Sequence, residues 1–213
     1  NLANRDGGFP TFCRGWGRLP FDRSCPDITA HVLRAFRAWD AHVPAPLRAR
    51  LQRATHKALM YLNTSQREDG AWLPLWFGNE GVADHSNPVY GTARVLQGLN
   101  GAREESGHPR PDALAAARWL GAAQAKDGGW GGDRDVAPSL EETALAVIAL
   151  APCRPHREAL DRGVHWIMGN LDRVAQPTPI GLYFASLWYH EALYPLVFAL
   201  TALRAWLDSY DAD

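Results

Sequence analysis

One stretch is written twice, and it limits the fold more than any other feature. Around residues 117–130 a helical run carries Trp119 and Leu120, reaches Gln124, turns at Gly128-Gly129 and arrives at Trp130. Residues 57–72 follow the same order through Tyr61, Leu62, Gln66, Gly70 and Trp72. In both copies the Gln lies four residues after the aliphatic and six before the Trp. Asp6-Gly7-Gly8-Phe9 resembles the tail of an earlier copy with Phe9 in the Trp position, and Trp166-Ile167 begins a degenerate one in which Leu171 replaces the Gln. Such recurrence is the signature of stacked supersecondary units that cannot bury their apolar faces alone.

The repeat has a local physical logic. A Gln at a helix end can satisfy orphan carbonyls there or N–H groups opening the next helix. Gly permits the positive-φ exit. Trp covers the seam with a large apolar face and offers one N–H to a partner. Gln66, Trp72, Gln124 and Trp130 are therefore expected to rivet helical hairpins together rather than to carry chemistry.

Helical periodicity fills the rest of the chain. Pro26-Asp27 opens a helix with Ile28, His31, Val32, Ala35, Phe36 and Trp39 on one side, and a second runs from Pro46 to about Gln66. Asn87-Pro88 starts a third, Asp112–Gln124 forms an Ala-rich fourth, and Ser139 with Glu142 reads as a capping box for a fifth reaching Leu150. A helix from Pro155 to about Leu171, a short aromatic one around Tyr183–Tyr189 and a last from Pro195 to about Asp208 complete eight, with no convincing strand. The helices beginning at Asp27, Asn87 and Ser139 share a Thr-Ala step (Thr29, Thr92, Thr143) and few charges, whereas the others are charged on one face. Alternation of a buried kind with an amphipathic kind predicts an all-α fold of side-by-side hairpins, the buried helices lining a central cavity.

Composition narrows the function classes. With 22 basic and 23 acidic residues, no nucleic acid or other highly charged partner is implied. Nine Trp residues call for either a stapled core or an aromatic-lined cavity. Cys13, Cys25 and Cys153 are odd in number and far apart, which argues against a disulfide framework and for a reducing, cytoplasmic setting. No apolar run approaches the roughly 18 residues of a spanning helix. Asp133-Arg134-Asp135 reads as a solvated loop, and no metal set or cofactor motif stands out. Starting at Asn1 inside a turn-like sequence, the chain is expected to be a fragment or a processed piece.

The Gln-to-Trp repeats, the Asp27–Leu33 segment, Tyr90-Gly91-Thr92 and the closing Gly181-Leu182-Tyr183 with Leu193-Tyr194-Pro195 resemble the squalene-hopene and oxidosqualene cyclases, the class II triterpene cyclases. These segments fall in the family's order over nearly the whole chain and match its C-terminal part only. The resemblance implies a single domain over 1–213: an α/α toroid, part of an (α/α)6 barrel, with an incomplete ring around an apolar cavity. It also implies an isoprenoid partner such as squalene, contact with the inner face of a membrane, and a protonated Asp of an Asp-x-Asp-Asp motif as the acid.

This chain has no Asp-x-Asp-Asp, so the acid is expected from a missing N-terminal part. By the same resemblance His31 matches the His that hydrogen-bonds the acid, with Asp27 its neighbour one turn earlier. Phe12 and Tyr90 match cavity tyrosines, and Tyr183 matches a Phe that faces a late cation. Asp84 stands where a cavity Trp is expected, and Pro179, Leu187 and His190 occupy positions usually aromatic. Those departures keep a second reading open, a non-catalytic toroid that retains an apolar pocket. A prenyltransferase-type zinc site lacks its Asp-x-Cys before a suitable His. An incomplete ring leaves apolar faces bare, so self-association through the open edge is expected.

Overall fold

A computed structural model of the chain describes residues 2–11, 23–100, 109–182 and 187–211. Among the described residues there are seven α-helices: α1 (Pro26–Trp39), α2 (Ala45–Ser65), α3 (Pro88–Leu99), α4 (Pro111–Ala123), α5 (Leu140–Leu150), α6 (Arg157–Gly169) and α7 (Tyr194–Asp211). Proline in the first turn starts α1 to α4, where its missing N–H costs nothing. Asn87 caps α3 by accepting from the Tyr90 N–H at 2.9 Å, and Ser139 caps α5 by accepting from the Glu142 N–H at 3.1 Å.

Helices α1, α3, α5 and α7 pack in that order as an inner row, with α2, α4 and α6 each behind the helix that precedes it. The expected alternation of kinds is what makes this possible. In α5 ten of eleven residues are buried, whereas α2 buries only Ala58 and Leu62. The row packs closely: a Cβ on Gly98 of α3 would lie 2.6 Å from the Ala30 Cβ of α1. The core runs through the row and into the turns, with Trp72, Trp130, Leu96, Leu120, Leu145 and Ile167 fully buried.

Two expectations are corrected. The chain is not free of strand: β1 (Phe9–Pro10) pairs antiparallel with β2 (Ser24–Cys25), and β3 (Pro179–Leu182) with β4 (Leu187–His190). Leu187–Tyr189 thus belongs to a hairpin rather than to a short aromatic helix. The physical reason is the cross-strand approach at Gly181, where a Cβ would sit 1.9 Å from the Leu187 carbonyl oxygen. The capping box at α5 is also only half formed, because the Ser139 N–H donates to the Trp130 carbonyl at 3.0 Å and the Glu142 carboxylate takes the Ser139 hydroxyl in its place.

Candidate active site on the concave face

The wall of the site is built by the repeat. Gln66 Nε2 donates to the carbonyls of Gly70 (2.8 Å) and Asp112 (2.9 Å), and Gln124 Nε2 to those of Gly128 (2.8 Å) and Ala159 (2.8 Å). Each Gln so joins its own turn to the start of the next outer helix. Trp72 Nε1 donates to the Leu62 carbonyl and Trp130 Nε1 to the Leu120 carbonyl, both at 2.8 Å, satisfying orphan acceptors at the helix ends. Gly70 and Gly128 take φ of +96° and +99°, a conformation L side chains rarely adopt, and each turn lies against the backbone of the following outer helix.

Two further partners were present in the sequence without their roles being recognised. The hydroxyls of Thr29, Thr92 and Thr143 accept from the backbone N–H of Phe9, Trp72 and Trp130 at 2.9, 3.0 and 2.9 Å. The Thr-Ala step of each inner helix is thereby the socket for the preceding turn. Asp69 and Asp127 accept from the second residue onward and also from the indole N–H of Trp119 (3.2 Å) and Trp166 (3.0 Å) on the next outer helix.

Since the inner helices receive the turns in the same register, their N-termini gather at one end, with the loops above them. Glu142 organises that end. Its carboxylate is buried and accepts from Asn87 Nδ2 (2.9 Å), Asn79 Nδ2 (3.1 Å) and the Ser139 hydroxyl. Desolvation raises its pKa, while the hydroxyl and the two amides oppose the rise. The neighbouring Glu141 faces the other way and accepts from the N–H (2.7 Å) and hydroxyl (2.6 Å) of Thr178, clamping the β3–β4 hairpin. The hairpin also accepts from the Gly78 N–H at Gly181 (2.9 Å) and sets Trp188 edge-on to His85, 5.3 Å between ring centroids.

Below this end lies the concave face. Asp27 is 1% exposed and accepts from the Cys25 thiol at 2.6 Å, while burial and the Asp27 carboxylate push that thiol far up. His31 keeps contact with solvent, yet partial desolvation and the cations of Arg94 and Arg34 lower its pKa, with Asp27 pulling the other way. No hydrogen bond joins Asp27 to His31 among the described residues. Tyr90 is 6% exposed, packs on Phe77 at 4.8 Å, and has its phenol raised by burial. Arg94, one turn below Tyr90, lies over the rings of Tyr90 (5.3 Å) and Phe198 of α7 (5.0 Å). Because α5 stands between α3 and α7 in the row, Arg94 reaches past α5 to meet Phe198. Tyr194 stacks on Phe198 at 4.8 Å.

The structure therefore brings Asp27, His31 and Tyr90 to one face and adds Arg94, Tyr194 and Phe198, which the sequence reading did not single out. Phe12 and Tyr183 lie outside the described residues. Asp84 is exposed in an Asx turn, its carboxyl lowered by the Ser86 side chain and N–H, and takes no part in the aromatic lining. A groove of about 510 Å³ lies elsewhere, between α1 and α2, lined by Leu33, Phe36, Leu51, Thr55, His56 and Leu59. Among the described residues no His, Cys, Asp and Glu group has the arrangement of a metal site, and no helix is long and apolar enough to cross a membrane.

An inner row of helices, an outer row packed behind it and Gln-to-Trp turns between them define an α/α toroid protein. The chain belongs to the family of the squalene-hopene cyclase C-terminal domain, whose model matches residues 18–205. It is 30% identical over 214 residues to enfumafungin synthase of Hormonema carpetanum, a match covering 88% of this chain and 15% of that protein. It is 35% identical over 175 residues to copalyl diphosphate synthase of Streptomyces cyslabdanicus, covering 81% and 30%. The structure of ent-copalyl diphosphate synthase from Streptomyces platensis superposes with a TM-score of 0.67 at 23% identity, over 97% of this chain and 36% of that one. The chain thus spans between 15% and 36% of the length of these proteins.

Proposed function

We propose that these 213 residues are the C-terminal region of a class II terpene cyclase. In this reading an isoprenoid is folded against the concave face and cyclised by protonation of a terminal alkene followed by a carbocation cascade. The acid comes from an Asp-x-Asp-Asp segment N-terminal to this stretch. Membership of the family is the observation that carries the reading, and the convergence of Asp27, His31 and Tyr90 on one face supports it. His31 supports the acid by hydrogen bonding, with Asp27 beside it. A neutral imidazole suits that task, because its N–H can donate to the acid's carbonyl oxygen without adding positive charge near a developing cation.

The rings of Tyr90, Tyr194 and Phe198 are proposed to attract the cation, each free face being worth about 2 kcal/mol when desolvated. Tyr183 and Phe12 are proposed to add to that lining. The apolar substrate also implies peripheral contact with a membrane at its source. The chain alone, lacking the acid, should bind an isoprenoid without turning it over. Incubation with squalene and with a polyprenol, followed by product chromatography and a binding titration on intrinsic Trp fluorescence, tests both halves. Cyclic products from the chain alone would place the acid within it; absence of any binding would remove the pocket.

A further inference from the structure

Glu142 stands beside the site without a part in the chemistry proposed for it. It has the sequence position of a capping-box partner, three residues after Ser139. Yet it leaves the Ser139 N–H to Trp130 and spends one oxygen, Oε1, on two amides far away in the chain. Both amides are buried, and both are used in the same way. Asn87 Oδ1 accepts from the Tyr90 N–H at 2.9 Å and Asn79 Oδ1 from the Gly81 N–H at 2.9 Å, so each nitrogen is left to face Glu142. Neither amide can flip without losing a bond at each of its ends.

The two amides reach Tyr90 by different routes. Asn87 caps the turn of α3 on which Tyr90 sits. Asn79 lies two residues beyond Phe77, whose ring packs on that of Tyr90 at 4.8 Å. Its seat is tight, since a Cβ on Gly132 would fall 2.4 Å from the Asn79 Cβ. The Gly132 carbonyl in turn accepts from the N–H of Val89, the residue before Tyr90, at 3.1 Å. The backbone of Tyr90 and the segment that carries its ring partner are thus tied to one carboxylate oxygen. A carboxylate buried among neutral donors returns little net stability. What it fixes is place.

We infer that Glu142 is a positioning residue, which through Asn87 and Asn79 sets where the Tyr90 ring stands against the substrate. The inference rests on the cyclase reading, in which Tyr90 faces the isoprenoid, and adds to it a residue acting at one remove. A ring that meets a substrate has to be held closely by such supports, because both packing and attraction for a cation depend on its distance and tilt.

The test follows the Tyr90 ring by NMR in a chain with labelled tyrosines, its resonance assigned by its loss in Tyr90→Phe. The neighbouring Phe77 ring makes that resonance a gauge of the separation between the two. Spectra are taken of the free chain and during titration with geranylgeraniol. Glu142→Leu, which accepts from neither amide, should move the resonance in the free chain. It should also weaken geranylgeraniol binding about tenfold, the low end of what losing a supporting partner costs at metal sites. Glu142→Gln, whose amide oxygen can still accept from both, should restore both readings. Thr143→Val, on the same helix but stranding the Trp130 N–H instead, should lower stability without moving either. Asn79→Ala cuts only the Phe77 route and should still shift the resonance, which serves if Glu142→Leu does not fold. A Tyr90 resonance that stays put in Glu142→Leu and Asn79→Ala, or moves as far in Thr143→Val, would overturn the assignment and leave the isoprenoid pocket standing. Should the wild-type chain bind no geranylgeraniol, the isoprenoid reading fails on its own. The free-chain resonance then upholds the placing of Tyr90 by Glu142 if it moves and overturns it if it does not.

Discussion

At the scale of single residues, the fold depends on buried polar atoms each finding one defined partner. Trp130 shows this most plainly. It is fully buried, and its indole N–H serves the Leu120 carbonyl. Trp130→Phe keeps most of the apolar contact but leaves that carbonyl unserved, and should cost about 1–3 kcal/mol in urea denaturation. Trp39→Ala, at a side chain 66% exposed, should change stability by no more than about 0.5 kcal/mol. Glu142 makes a prediction with a definite sign. Its folded-state pKa is raised above the ordinary 4.5, so between the two values the folded state holds a proton that the unfolded state has lost. Stability must then fall as pH rises through that window, the reverse of a salt-bridged carboxylate. In Glu142→Gln the amide oxygen can still accept from Asn79 and Asn87, and the amide nitrogen can donate to Ser139. That variant should lose this fall, so the wild-type chain weakens relative to it as pH is raised above about 4.5. Parallel stability–pH profiles for the two proteins would contradict the account.

At the scale of elements, each inner helix receives the preceding turn through one threonine. Thr92→Val and Thr143→Val are nearly isosteric and should each cost about 1–3 kcal/mol, by stranding the N–H of Trp72 or Trp130. Losses of similar size are expected, because each hydroxyl accepts from the N–H of the Trp that closes the preceding turn. This is also the scale at which the sequence was most informative. The helices were legible from periodicity, and Gln66, Gly70 and Trp72 from a pattern contained in sixteen consecutive residues. The β3–β4 hairpin was not legible, since its aromatic run has no helix-breaking signal and Gly181 is demanded only by the strand it pairs with. Glu142 read as a local cap because its amide partners, Asn79 and Asn87, are 63 and 55 residues away. Arg94 was one charge in a helix otherwise free of them, and only its reach past α5 to Phe198 gives it meaning.

At the scale of the whole molecule, the inner row begins with α1 and ends with α7, and the end helix is bare on one side. Leu196, Leu200 and Leu207 recur along it at helical spacing, just after Leu193, with Leu200 67% exposed. A stripe of that kind is covered by something in a stable assembly. We expect the chain on its own to self-associate through it. Sedimentation should show mass rising with concentration, and Leu196→Glu with Leu200→Glu should return a monomer. A wild-type chain that stays monomeric over the same range would argue against an open apolar edge.

The central claim is one of place: the Gln-to-Trp turns are wall, and the substrate lies on the concave face. A crystal structure of the chain with a bound unreactive isoprenoid tests it most directly. The account predicts the ligand against Tyr90, Arg94 and Phe198, with His31 at one end. A ligand seated instead between α1 and α2, against Leu33, Leu51 and Leu59, would contradict it.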